Sequence, residues 1–240
     1  TYYILPQVWA WKPKRVSVVE RYCDNLASIL PFDAKFYSRS TYVGHPLMDE
    51  IKLKKTSLSS SGKVAFLPGS RRSEISRLMP VYRELAKKIE AKRLLVVPPF
   101  LLDKVGEIYG DVSDFDIVSN TPEALYESDF AFVCSGTATL EAALIGTPFV
   151  LAYKAKAIDV FIARKFVKIK HAGLANIMFD FMGKEPLHEE FIQEFATAEN
   201  LLRAYESCDR QKFLKGCDEL RAYLGHGSSK NVVKILKNME

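Results

Sequence analysis

From Lys63 onward, short apolar runs alternate with segments of helical period, and this alternation limits the possible folds more than any other feature of the chain. Residues 64–67 read as a buried strand, and 76–91 carry Leu78, Val81, Leu85 and Ile89 at helical spacing. Residues 94–97 form the next apolar run and 116–118 a weaker one. Thr121 with Pro122 then gives an N-cap and first-turn signal for a helix to about Ser128. Residues 130–134 are again strand-like, 138–144 a helix closed by Gly146, and 149–153 another strand. Five strands joined by helices predict an α/β fold built on a parallel, doubly wound sheet. Ligands are then expected at the carboxyl ends of its strands.

The flanks follow other rules. After Asp159 the strand signals stop, and helix-period segments cover 190–207, 209–224 and, past a break at Gly225 and Gly227, 229–238. The first 62 residues open on an aromatic, proline-rich stretch at 2–13. A helix-like stretch at 16–29 and a short strand at 41–43 follow, then Gly44-His45-Pro46 and a Lys- and Ser-rich link. The expected organisation is the end of one domain at 1–46, a linker at 47–62, and a ligand-binding domain with terminal helices at 63–240. With 240 residues, 48% hydrophobic and 26% charged, the chain suffices for one large domain and part of another. Its start in mid-pattern at Thr1 reads as part of a longer protein.

Composition excludes several classes. Cys23, Cys134, Cys208 and Cys217 lie far apart or without metal spacing, and read as reduced thiols in a cytoplasmic setting. His171, His188 and His226 have no ligand-like spacing, so no metal is expected, and His45 before Pro46 reads as a boundary residue. No apolar run approaches the roughly 20 residues of a spanning helix, which leaves peripheral membrane contact only. The net charge of +5 is modest and no nucleic-acid partner is expected. It is unevenly spread: between Lys154 and Lys170, Arg164, Lys165 and Lys168 interleave with Phe161, Ile162, Phe166 and Val167. Such a stretch is either a solvated helix face or a surface for anionic lipid.

Two turns carry the chemistry. In Leu67-Pro68-Gly69-Ser70-Arg71-Arg72-Ser73-Glu74, Gly69 lets backbone approach a ligand, a helix start offers free N–H groups, and Arg71 can fork onto a phosphate. The plainer alternative is a βα turn with a solvent-facing Arg71 and a Glu74 that favours the helix dipole. In Cys134-Ser135-Gly136-Thr137, amides and hydroxyls stand where a diphosphate would meet a helix N-terminus. Glu141 lies one turn past Thr137 among apolar neighbours, placed either for ribose hydroxyls or for the helix dipole. Asn176, in Gly173-Leu174-Ala175-Asn176-Ile177, fixes a turn or caps a helix when read alone.

In order along the chain stand Pro6-Gln7-Val8-Trp9-Ala10-Trp11 with Lys14-Arg15-Val16, Leu30-Pro31-Phe32, Gly44-His45-Pro46, the Gly69–Arg71 turn, Ser135-Gly136-Thr137 with Glu141, Tyr153-Lys154, and Leu174-Ala175-Asn176-Ile177. This set resembles the bacterial lipid-A-disaccharide synthase family over essentially the whole chain. Ala175 replaces a usual Pro, and Gln7 a common Ser. The resemblance implies a GT-B glycosyltransferase, with two Rossmann-like domains facing a cleft and only the end of the N-terminal one included here. It implies a cytoplasmic enzyme on the inner face of the bacterial inner membrane, touching an anionic surface, needing no cofactor and compatible with a homodimer. Its implied reaction joins UDP-2,3-diacylglucosamine to 2,3-diacylglucosamine 1-phosphate with inversion, the general base lying upstream of this sequence. Arg71 and Asn176 would be its catalytic residues. Gly69, Ser70, Arg71, Ser135, Gly136, Thr137, Glu141, Tyr153 and Asn176 would bind the UDP-sugar, with Trp9 and Trp11 on the acceptor side. Two other readings are another GT-B protein, such as a UDP-sugar epimerase, and a nucleotide-binding module without catalysis.

Overall fold

The computed structural model describes residues 1–58, 60–155 and 170–237. A small sheet of parallel strands comes first: β1 (Tyr2–Tyr3), β2 (Leu26–Ser28) and β3 (Ser40–Tyr42), with β2 in the middle. The single helix expected over 16–29 is thus divided. Its first part is α1 (Arg15–Tyr22), and the Arg39 guanidinium donates to the Cys23 carbonyl at 2.8 Å just beyond it. Its last part pairs on both sides as β2, because Leu26, Ala27 and Ser28 are all buried there and the burial is tertiary, not helical. The expected link begins as a short helix, α2 (Pro46–Glu50), capped by His45 Nδ1 accepting the Leu47 amide.

The main sheet follows the predicted alternation: β4 (Lys63–Leu67), α3 (Arg72–Ala86), β5 (Lys92–Val96), α4 (Val105–Tyr109), β6 (Asp116–Val118), α5 (Thr121–Glu127), β7 (Phe130–Cys134), α6 (Thr137–Ile145) and β8 (Phe149–Tyr153). Two helices differ from expectation at their boundaries. α3 starts at Arg72 and stops at Ala86, and the cap of α5 is Asn120, whose side chain accepts the Glu123 amide at 3.2 Å. The stretch at 154–170 lies outside the described residues apart from Lys154, Ala155 and Lys170. Beyond it come α7 (Leu174–Phe181), β9 (Glu190–Ile192), α8 (Ala198–Ser207), α9 (Arg210–Tyr223) and α10 (Ser228–Lys237).

β9 corrects the single helix that the sequence predicts over 190–207. Three residues give too little periodicity to distinguish strand from helix, and pairing with the free edge of β8 decides for strand. All six strands run parallel in the order β6-β5-β4-β7-β8-β9. β7 is buried over its full length, as a central strand covered on both faces should be. The chain leaves β4 toward β5 and β6, then returns to β7 on the other side, so the topological switch point lies between β4 and β7.

One apolar cluster crosses both sheets, joining Trp9, Phe32 and Met48 to Leu67, Val133 and Phe179. α10 turns back onto the first sheet. Asp49 accepts the Gly227 and Ser228 amides at 2.8 and 2.9 Å, Tyr3 and Ser228 share a hydroxyl contact at 2.9 Å, and Asn231 donates to the Val43 carbonyl at 3.0 Å. Among the described residues no helix is long and apolar enough to cross a membrane.

Candidate donor-binding site

The two turns singled out in the sequence follow β4 and β7, the strands that flank the switch point. Gly69 adopts φ +99°, and a Cβ there would stand 2.7 Å from Glu74 Oε2 and 3.2 Å from Cys134 Sγ. The turn can therefore lie against the end of β7 only with glycine at this position. Arg71 is the N-cap residue of α3, and its Nη1 lies 2.8 Å from Glu74 Oε1. The carboxylate side chain is 9% exposed and the guanidinium side chain 78%, so a buried acid anchors an outward cation. The hydrogen bond and charge of Glu74 hold Arg71 still more firmly protonated, with smaller contributions from Tyr153 and Cys134. Ser70 beside it is exposed, and Tyr153 closes β8 at the same edge of the sheet.

Gly136 is the N-cap of α6 and has no side chain to satisfy the first-turn amides. Gly136 and Thr137 are exposed, and nothing lies within 4 Å of a Cβ built at Gly136. Thr139 Oγ1 ties the turn to the Gly136 carbonyl at 2.7 Å, and Ser135 Oγ donates to the Ala172 carbonyl at 3.2 Å. Glu141 sits half-buried on the same helix. Burial, reinforced by the nearby Glu50, pushes its carboxyl above the usual range. No hydrogen bond to it occurs among the described residues, which suits a carboxylate that takes a hydroxyl partner from a ligand.

Other residues named from the sequence stand elsewhere. Asn176 is fully buried: Nδ2 donates to the His188 carbonyl at 2.9 Å and to Glu190 Oε1 at 2.8 Å, while Oδ1 accepts the Leu187 and His188 amides. Its polar atoms are thus engaged by protein, and they tie α7 to the approach to β9. Trp9 is also buried, edge-on to Phe32 at 5.5 Å, whereas Trp11 is 46% exposed beneath the Lys12 ammonium. Of that pair only Trp11 is open to solvent. Glu74 and Glu190 were missed as organisers of the site. Glu74 was visible as an acid three residues after Arg71, but nothing local marks Glu190. Among the described residues no three His, Cys, Asp or Glu side chains gather as a metal cage.

A Ser-Gly-Thr turn at a helix start with a following Glu resembles many UDP-sugar transferases, so kinship decides. The family model for lipid-A-disaccharide synthetase matches residues 1–227. The chain belongs to the lipid-A-disaccharide synthetase family. Lipid-A-disaccharide synthase of Campylobacter jejuni subsp. jejuni serotype O:2 is 57% identical over 247 aligned positions, covering 99% of this chain and 68% of that protein. The enzyme of Helicobacter pylori strain G27 is 48% identical, covering 96% and 68%. Members of the lipid-A-disaccharide synthetase family are glycosyltransferases of lipid A biosynthesis that act on a sugar nucleotide and a lipid acceptor. Among solved structures, Acinetobacter baumannii MurG (TM-score 0.52, 15% identity, 92% of this chain and 62% of that one) and the calicheamicin glycosyltransferase CalG4 (TM-score 0.52, 14% identity, 93% and 57%) share the GT-B fold.

Proposed function

We propose that the carboxyl ends of β4 and β7 bind the UDP of UDP-2,3-diacylglucosamine and that the enzyme transfers this sugar, with inversion, to 2,3-diacylglucosamine 1-phosphate. The observation that carries the reading is that the Gly69–Arg71 and Ser135–Thr137 turns follow the two paired strands at the switch point of the sheet, with Glu141 one turn further along α6. In this reading the acceptor 6-hydroxyl attacks the anomeric carbon, its proton passes to a base, and the bond from that carbon to the diphosphate breaks. Arg71 and the first amides of α6 meet the charge that develops on the departing UDP. Ser70 and Tyr153 stand at the same carboxyl end of the sheet and complete the donor contacts, Glu141 takes the ribose hydroxyls, and Trp11 faces the acceptor. The division at 1–46, 47–62 and 63–240 is kept as the acceptor-side end, the link and the donor domain.

Glu141→Ala should weaken UDP binding by roughly 1–3 kcal/mol, the loss of a charged hydrogen-bond partner. Calorimetry giving an unchanged affinity would remove Glu141 from the ribose site. Because both substrates are acylated, we also propose that the protein works at the inner face of the inner membrane, drawn there by the basic residues of 154–170. Sedimentation with anionic vesicles should exceed that with neutral ones and weaken with salt. Equal sedimentation with both would remove the electrostatic contact.

A further inference from the structure

Glu190 lies outside every motif of the sequence, yet it organises the start of α7. It stands on β9 with its side chain 9% exposed. Its Oε2 accepts the Ala172 amide at 2.6 Å, while Oε1 accepts the Gly173 amide at 3.0 Å and Asn176 Nδ2 at 2.8 Å. The carbonyl of that same Ala172 receives Ser135 Oγ at 3.2 Å. Ala172 is therefore gripped through its N–H from β9 and through its C=O from the Ser135-Gly136-Thr137 turn.

A carboxylate this buried needs several donors, and among the described residues the three that hydrogen-bond it belong to the approach to α7 or to its first turn, with His171 Nδ1 4.0 Å from Oε1. The positive end of the helix favours the same charge. Gly173, the N-cap of α7, offers no side chain, and Glu190 fixes the chain just ahead of the helix by accepting the Ala172 and Gly173 amides. The first-turn amides of α7, at Leu174 and Ala175, have no acceptor within the helix. The N-termini of α6 and α7 thereby converge beside Ser135, and two such ends together suit a diphosphate better than one.

We propose that Glu190 is a positioning residue for the donor diphosphate: it locks the N-terminus of α7 against the Ser135-Gly136-Thr137 turn and acts through that helix, without touching the donor. The role rests on the donor-site reading above. Glutamine at this position would turn an NH2 group toward one of the N–H donors, so the helix start would have to move. Aspartate would keep the charge but set it back by one methylene.

The test compares UDP with uridine by calorimetry on the chain and its variants. In Glu190→Gln, UDP affinity should fall roughly tenfold or more while uridine affinity stays within about twofold, since only the diphosphate meets α7. Glu190→Asp should recover part of the difference. A folded Glu190→Gln with the UDP-to-uridine ratio of the parent would overturn the proposal, as would loss of the fold in both variants, which would make Glu190 structural only. A parent chain that binds UDP no better than uridine would instead overturn the donor-site reading.

Discussion

At the residue scale, what separates function from framework is whether a polar side chain is satisfied inside the protein. Arg71 and Glu141 present unspent capacity to a ligand, whereas Asn176 has its amide fully engaged. Both alternatives for Asn176 were open in the sequence, because an amide in an apolar run reads the same whether it faces a ligand or a neighbouring strand. His45 shows a second consequence of burial. Desolvation pushes its pKa down to about 4, so the folded state resists its protonation. The stability conferred by neutral His45 is therefore complete above the unfolded value near 6.5 and is lost as pH falls from there to about 4. Asp33, raised by burial to about 6, works the other way and gains stability for the fold as pH drops through that value. Comparison with His45→Asn, which keeps a capping oxygen, isolates the histidine. Between pH 7 and pH 4 the parent should lose on the order of 3 kcal/mol relative to the variant in urea melts. Parallel pH profiles would show that His45 titrates normally in the fold.

At the scale of elements, the turns after β4 and β7 depend on each other. The positive φ of Gly69 and its closeness to Glu74 and Cys134 let α3 begin with Arg71 exposed at the carboxyl end of the sheet. Gly69→Ala places a Cβ in a left-handed backbone and against a buried carboxylate. It should cost about 1–3 kcal/mol of stability and lower UDP affinity together with it. A variant as stable as the parent, with equal affinity, would mean that the turn relaxes without disturbing Arg71. The glycine was legible in the sequence as a place of close approach. What it approaches was not, since Cys134 is brought there only by the pairing of β4 with β7.

At the scale of the whole molecule, α7 links the Ser135 turn to the first sheet. Its last residue, Phe181, stacks on Phe32 with centroids 3.9 Å apart and meets Phe36 edge-on at 5.8 Å, while α10 returns to Asp49 and Tyr3. The shared apolar cluster predicts one cooperative unfolding transition for both sheets. Phe181→Ala should lower stability by about 2–3 kcal/mol, and combined with Asp49→Ala it should divide the calorimetric transition in two. A single transition in the double variant would show that the remaining core suffices to hold the halves together. The sequence by itself determined the α/β class, most of the strands of the main sheet and the placing of the Gly69 and Ser135 turns after strands, because apolar periodicity and turn chemistry are local properties. Tertiary structure alone decided that β4 and β7 are neighbours, that 190–192 is a strand, that Trp9 is buried while Trp11 is not, and that Glu190 meets Ala172. Each of these depends on partners distant in the chain, and a three-residue strand or a buried carboxylate is stable only once those partners are in place.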